Sequence, residues 1–225
     1  MLRDFISLFF PECCMSCSSI LIKGEKHVCS VCYFHLPLID YMEAEHIMKV
    51  RFYGRVETEY VFAYLKFIKG GIAGRILHAL KYEGQTELGT WLGMLLGNRI
   101  LEMKFYGQFD LVVPVPVHPR RFRQRGYNQC DYPAKAIGKK IGADVQINAV
   151  ARVKYTGSFT KKGRLERNQS LDAAFRVIHP DIIRGKHILI VDDVVTTGST
   201  IESLASCLKE AGAEKISIAA LSVAV

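Results

Sequence analysis

Residues 188–200 read ILIVDDVVTTGST, and this string constrains the fold more than any other stretch of the chain. The unbroken apolar run Ile188, Leu189, Ile190, Val191 suits a central strand of a parallel sheet, where both faces are covered and alternation disappears. Two carboxylates follow, and then a small-residue turn that opens a helix. Thr196, Thr197, Gly198, Ser199 and Thr200 offer hydroxyls, short side chains and a glycine, so successive backbone N–H groups can face one concavity at a helix N-terminus, where a phosphate binds readily. Asp192 and Asp193 stand at the carboxyl end of the strand, the edge at which open α/β sheets hold their ligands. Carboxylates there can take ribose hydroxyls or a bridging Mg²⁺. A Walker A loop is excluded, because no Gly-Lys-Ser/Thr follows. The competing reading is an acidic loop before an ordinary cap: Ser199 or Thr200 could cap, and Ser199 with Glu202 has capping-box spacing.

The amino-terminal region carries a different chemistry. The chain has seven cysteines, five of them between Cys13 and Cys32. Cys14-Met-Ser-Cys17 and Cys29-Ser-Val-Cys32 form two C-x-x-C knuckles on either side of a turn expected at Lys23-Gly24-Glu25. Four thiolates so spaced can converge tetrahedrally on Zn²⁺, and with every position a cysteine the metal is structural, with no open coordination site. Cys13 can replace Cys14, although the two-residue gap favours Cys14. An iron–sulfur cluster remains chemically open, whereas two disulfides do not suit a reducing compartment. Cys130 and Cys207 read as helix residues whose role is core contact.

Between these two regions strands and helices alternate. Val61, Ala63, Leu65 and Phe67 alternate with Tyr60, Phe62, Tyr64 and Lys66, which predicts a half-buried strand. Ile72, Ile76, Leu77 and Leu80 recur at helical spacing, as do Leu88, Trp91, Leu92, Leu95 and Leu96. Residues 109–117, FDLVVPVPV, predict another buried strand, residues 129–141 a basic helix, and residues 201–208 a helix face that stops at Gly212 before a terminal strand over 215–225. This order predicts an α/β fold with a mostly parallel, doubly wound sheet.

After the FDLVV strand comes PVPVHPRRFRQRGYNQ, residues 114–129. Arg120, Arg121, Arg123 and Arg125 follow a strand end closely and can reach the sheet edge that carries the phosphate turn; guanidinium groups bind phosphate oxygens bidentately. Gly126 is expected to let the backbone approach a ligand. The string from Ile188 to Thr200 resembles the PRPP-binding motif of the type I phosphoribosyltransferases. With PVPVHPRRFRQRGYNQ, the four-cysteine knuckle and the element Lys81-Tyr82-x-Gly84, the resemblance sharpens to the ComF family of competence-associated, phosphoribosyltransferase-like proteins, and covers nearly the whole chain. It implies a type I phosphoribosyltransferase-like fold with a small zinc domain over residues 1–40 and the transferase-like domain over 41–225. It further implies that Asp192 and Asp193 take the ribose of 5-phosphoribosyl-1-pyrophosphate (PRPP). Val194, Thr196, Thr197, Gly198, Ser199 and Thr200 belong to the same motif, with Thr196 to Thr200 taking the 5-phosphate. Arg121, Arg123, Arg125, Gly126, Asn128 and Gln129 would serve pyrophosphate or DNA.

Residues 152–175, RVKYTGSFTKKGRLERNQSLDAAF, are polar, basic and longer than a structural connection needs, the mark of a lid or binding loop. They resemble the family's flexible loop, which implies that Lys161, Arg164 and Arg167 close over the ligand, with Arg164 joining Asp192 and Asp193 in catalysis. Phe159 and Ser170 stand where family members commonly have glutamine and asparagine, which bears on turnover more than on fold. Composition agrees: 49% hydrophobic residues in 225 suit a globular chain, a formal charge of +8 suits polyanionic partners, and no apolar stretch reaches the ~20 residues of a membrane span. The short, acid-interrupted start is no signal peptide, so a cytoplasmic protein is expected. The resemblance implies Mg²⁺ bound with PRPP, and as partners single-stranded DNA and the competence helicase machinery. Phe122, Tyr127, Tyr155 and Phe159 among the cations could stack on bases. A PRPP- or nucleotide-sensing regulator without turnover is a further reading.

Overall fold

A computed structural model describes residues 11–153 and 174–225. Its framework is a five-stranded, all-parallel sheet of β1 (Val61–Phe67), β2 (Leu111–Pro114), β3 (Asp144–Val145), β6 (His187–Val195) and β7 (Lys215–Ala224), in the spatial order β1-β7-β6-β2-β3. A separate antiparallel pair, β4 (Val150–Arg152) and β5 (Phe175–Val177), leaves the sheet near its carboxyl edge.

Helices cover both faces, as a parallel sheet requires. Leu189, Val191, Ala219 and Leu221 join a core with α3 (Ile72–Tyr82), α4 (Thr86–Glu102) and α6 (Asp131–Ile141). Their strand neighbours Ile188, Ile190, Ile218 and Ala220 join the opposite core with α2 (Tyr41–Phe52) and α7 (Ser199–Glu210). Period-two alternation thus sends successive side chains into two different cores. This explains the unbroken apolar run at 188–191 and corrects one expectation. Strand β1 is buried from Val61 to Tyr64 and at Leu65, with only Lys66 and Phe67 partly exposed, because α2 covers one face and α3 with α4 the other. Tyr60, Phe62 and Tyr64 lie against helices and other aromatic rings where the alternation had suggested solvent.

Two further elements bear on the site. Gly89, Gly93 and Gly97 form a stripe on α4 that admits α6: a Cβ on Gly93 would come within 2.6 Å of Pro133 Cα. This close approach sets the start of α6 beside the end of β2. The four-cysteine region contains a short helix, α1 (Ser30–Phe34), and Cys14, Cys29 and Cys32 share the apolar cluster with Leu77, Leu80 and Leu88. The predicted turn at 23–25 is present, with Gly24 at φ +99° and the Glu25 carboxylate accepting from Ile22 N and from Ser30 N and Oγ.

Candidate functional site

Strand β6 continues through both aspartates, so Asp192 and Asp193 leave it on opposite sides and receive different partners. Asp193, 4% exposed, forms an ion pair with Lys81 from the last turn of α3 at 3.0 Å, while its Oδ2 has no partner among the described residues. Asp192 Oδ1 accepts from Asp193 N at 2.8 Å and from the buried thiol of Cys130 at 3.6 Å. Burial first, and then the adjacent Asp193, push the Asp192 carboxyl up to about 7. Burial works to lower Lys81, but Asp193 and Asp192 outweigh it and the net direction is upward, so Lys81 stays charged. Lys81 is thus paired with Asp193, while Arg152 acts on Asp192 through space.

Around this pair lies a cleft lined by Lys81, Arg121, Arg125, Gln129, Arg152 and Thr200, among others. The expected arginine loop is instead a short helix, α5 (Pro119–Arg125), capped at its start by His118 and ended by Gly126 in the left-handed region at φ +81°. Helical spacing divides its cations. Arg121 and Arg125 line the cleft, whereas Arg120 and Arg123 are exposed on the outer face beside the half-exposed Phe122. Arg125 donates to Gln129 Oε1 at 2.8 Å and lies over the Tyr82 ring at 4.7 Å. Gly126 serves the helix end, where only glycine adopts that backbone cheaply. Asn128 is buried and works locally, donating to Val115 O and Asp131 Oδ1 and accepting from Cys130 N.

The turn at residues 196–200 has the expected glycine, and the cap of the competing reading does not form. Gly198 is the N-cap of α7 at φ +79° with no side chain to cap it, and in the first turn Ser199 N donates to Thr197 Oγ1 at 3.4 Å. Thr197 Oγ1 and Ser199 Oγ lie 3.2 Å apart, and Thr200 faces the cleft. No Ser199–Glu202 capping box forms, because Glu202 pairs with Arg55 instead. Behind the turn, Arg55 also donates to Thr197 O, Arg51 donates to Val195 O and Ala224 O, and the Phe52 ring closes on Gly198 so tightly that a Cβ would meet it at 2.7 Å. Helix α2 and the turn after it thus clamp the phosphate turn from outside.

The structure brings Asp192, Asp193, Val194, Thr200, Arg121, Arg125 and Gln129 together. Arg123 and Asn128 do not line this cleft. Lys161, Arg164 and Arg167 lie outside the described residues, as do Tyr155, Phe159 and Ser170. Sequence reasoning assigned no role to Arg152, left Cys130 as core, and named Lys81 only as part of a resemblance. It missed the clamp residues Arg51, Phe52 and Arg55 altogether. Only Lys81, within its Lys-Tyr-x-Gly element, left a local signal.

The second cluster joins Cys14, Cys17, Cys29 and Cys32, whose sulfurs all lie within 4.8 Å of one another. Cys17 and Cys29 Sγ are 3.6 Å apart, close to the ~3.8 Å that tetrahedral Zn–S bonds of ~2.3 Å impose. Ser16 N points at Cys14 Sγ and Cys32 N at Cys29 Sγ, as N–H groups do that steady thiolate ligands. Ser19 lowers Cys17 to about 6, while burial pushes Cys32 up to about 12, so these two thiols are drawn in opposite directions. Cys13 stands outside the four-sulfur cluster and hydrogen-bonds Pro11 O, whereas Cys14 lies within it. Among the described residues no helix is long and apolar enough to cross a membrane.

Residues 133–222 match the phosphoribosyl transferase domain. The chain is 32% identical over 146 residues to the DNA utilization protein YhgH of Escherichia coli K12, covering 64% of this chain and 63% of that protein. It is 30% identical over 149 residues to competence protein F of Haemophilus influenzae, covering 64% of each. The matches thus span under two thirds of either relative. Among solved structures, the purine phosphoribosyltransferase of Pyrococcus horikoshii aligns with a TM-score of 0.38 at 23% identity, covering 62% of this chain and 73% of that one.

Proposed function

We propose that this homologue of the YhgH and competence F proteins binds PRPP or a related phosphoribosyl ligand together with Mg²⁺ in the cleft at the carboxyl edge of its sheet. The observation that carries the reading is the buried carboxylate pair Asp192–Asp193, with Asp193 Oδ2 lacking a partner among the described residues, beside the glycine-capped start of α7 and facing Lys81, Arg121 and Arg125. Ribose hydroxyls would donate to the two carboxylates. The 5-phosphate would accept from the N–H groups and hydroxyls of residues 196–200, and the guanidinium groups of Arg121 and Arg125 would hold the pyrophosphate. Mg²⁺, bound through ligand oxygens and a carboxylate, would neutralise pyrophosphate charge.

If transfer occurs, these residues act by positioning and electrostatics. Departure of pyrophosphate from ribose C1 leaves an oxocarbenium-like centre, which the negative charge of Asp192 and Asp193 favours while the arginines stabilise the leaving group. No protein nucleophile is required. Lys161, Arg164 and Arg167 would complete the enclosure. The cysteine cluster would hold one structural Zn²⁺, a reading supported by its spacing and by the N–H groups aimed at sulfur. Free thiols in this number suit a cytoplasmic location.

A second ligand, single-stranded DNA, is favoured by the outer face of α5, where Arg120, Arg123 and Phe122 are exposed away from the cleft. The formal charge of +8 and the relatives' names, which mention DNA utilization and competence, point the same way; the competence helicase machinery would join as a partner through the family resemblance alone. The two faces can be separated. Arg121→Gln with Arg125→Gln should weaken PRPP·Mg²⁺ binding at least tenfold. Arg120→Gln with Arg123→Gln should spare it, but lower the salt slope of oligo-dT binding by up to ~0.7 per lost phosphate contact. A wild-type protein that binds neither PRPP nor ribose 5-phosphate would sink the principal reading.

A further inference from the structure

The Cys130 thiol lies against the carboxylate pair and has no part in the reading above. It is fully buried just before α6, held by Asn128 Oδ1 accepting from Cys130 N, and aimed at Asp192. Burial, then Asp193 and Asp192, push this thiol well above the usual range, so without a cation it stays protonated between two acids. Ordinary core contact does not account for a sulfur turned toward two buried carboxylates.

We propose that Cys130, Asp192 and Asp193 form a second metal site, separate from the four-cysteine cluster, that takes a thiophilic divalent cation of the Zn²⁺ class. Each residue offers one donor atom within 4.8 Å of the other two, and all three are buried. The 3.6 Å from Cys130 Sγ to Asp192 Oδ1 equals the span across a tetrahedral metal with bonds of ~2.3 Å to sulfur and ~2.1 Å to oxygen. An independent sign of a missing ligand is Asp193 Oδ2, buried and without a partner among the described residues even though Oδ1 is paired with Lys81. The charges also close. One thiolate and two carboxylates are balanced by a dication together with Lys81, and the thiol proton passes to solvent as the metal binds.

A thiolate donor sets the choice of ion. Mg²⁺ takes oxygen ligands in octahedral geometry, whereas sulfur with carboxylate favours Zn²⁺ or Cd²⁺. Three protein donors leave a fourth position open toward the cleft, the arrangement of an exchangeable rather than a structural zinc. The site stands whether or not the cleft takes PRPP. If it does, Zn²⁺ would engage the carboxylates that the ribose needs, and the two would exclude each other.

The test uses the full chain with its cysteine cluster already loaded with zinc and no phosphoribosyl ligand present. Co²⁺ titrated into wild-type protein should bind as a second equivalent and produce a near-ultraviolet sulfur-to-cobalt band. In Cys130→Ala the band from that equivalent should vanish while the cluster's zinc is retained. Asp193→Asn, which keeps the thiol, should weaken the second equivalent at least tenfold, since loss even of an outer partner to a metal ligand costs about 10–100-fold, and this variant decides the matter if Cys130→Ala does not fold. Absence of Co²⁺ uptake by the zinc-loaded wild type, or a Co²⁺ band of equal strength in Cys130→Ala, would overturn the proposal.

Discussion

The four-cysteine cluster and the carboxylate cleft are both knots of ionisable groups held within 4.8 Å, yet they are built in opposite ways. The cysteines come from 19 consecutive residues, Cys14 to Cys32, with identical donors and N–H groups directed at sulfur. The cleft draws Lys81 from α3, Cys130 from the start of α6, Arg152 from β4 and the two aspartates from β6, with one carboxylate oxygen buried and unpartnered. The first is closed once a metal enters. The second is a cleft in which carboxylates and cations from distant parts of the chain face each other, with one carboxylate oxygen lacking a partner among the described residues.

The comparison breaks most visibly if the cluster is dispensable. Structural zinc sites bind with apparent free energies of about 10–16 kcal/mol that are also folding energy. Cys32→Ser should therefore eliminate the bound zinc, measured by metal analysis, and unfold the region around α1, measured by amide exchange, while the sheet around β6 survives. Loss of metal without local unfolding would show that the cluster does not hold this region.

Next in size is the phosphate turn. Gly198→Ala places a side chain at φ +79° against the Phe52 ring, at a cost of about 1–3 kcal/mol from backbone strain alone. Thermal denaturation should report that loss, and Phe52→Leu in the same chain should restore the part due to the clash. A third prediction has the opposite sign. The raised pKa of Asp192 means that the folded state binds its proton more tightly than the unfolded state, whose aspartates titrate near ~3.9. This group's contribution to stability is thus lost as pH rises from ~4 to ~7 and stays lost above. Asp192→Asn should stabilise the ligand-free protein by about 1–3 kcal/mol at pH 8, with little gain at pH 4. Equal effects at both pH values would mean that Asp192 carries no buried charge. The smallest effect is expected at Arg55: its half-exposed pair with Glu202 is worth under ~1 kcal/mol, so Arg55→Gln should hardly shift the melting midpoint while loosening the turn and weakening phosphate binding.

The same contrast explains what could be read in the chain. Two C-x-x-C steps around a turn carry their geometry locally, and so does a strand that ends in Asp-Asp before Thr-Thr-Gly-Ser-Thr. The alternating elements likewise announced a parallel sheet. Contacts made across the fold left no local trace. Cys130 is 62 residues from Asp192, and its meeting with that carboxylate depends on the α4 glycine stripe that seats α6. Arg55 reaches Thr197 over 142 residues. The arginine segment was visible as charge, but its division into an inner and an outer face required the helix that Pro119 begins and Gly126 ends. The burial of β1 was misread because its aromatic residues fit a wet face as readily as a second core.

Calorimetric titration of PRPP with Mg²⁺ into wild-type protein and into Asp193→Asn decides whether the buried carboxylate pair takes a phosphoribosyl ligand. Saturable binding of one ligand per chain is expected in the wild type, weakened at least tenfold in the variant while its melting curve stays cooperative. Absence of binding by the folded wild type, or equal affinity in the two proteins, would contradict that reading.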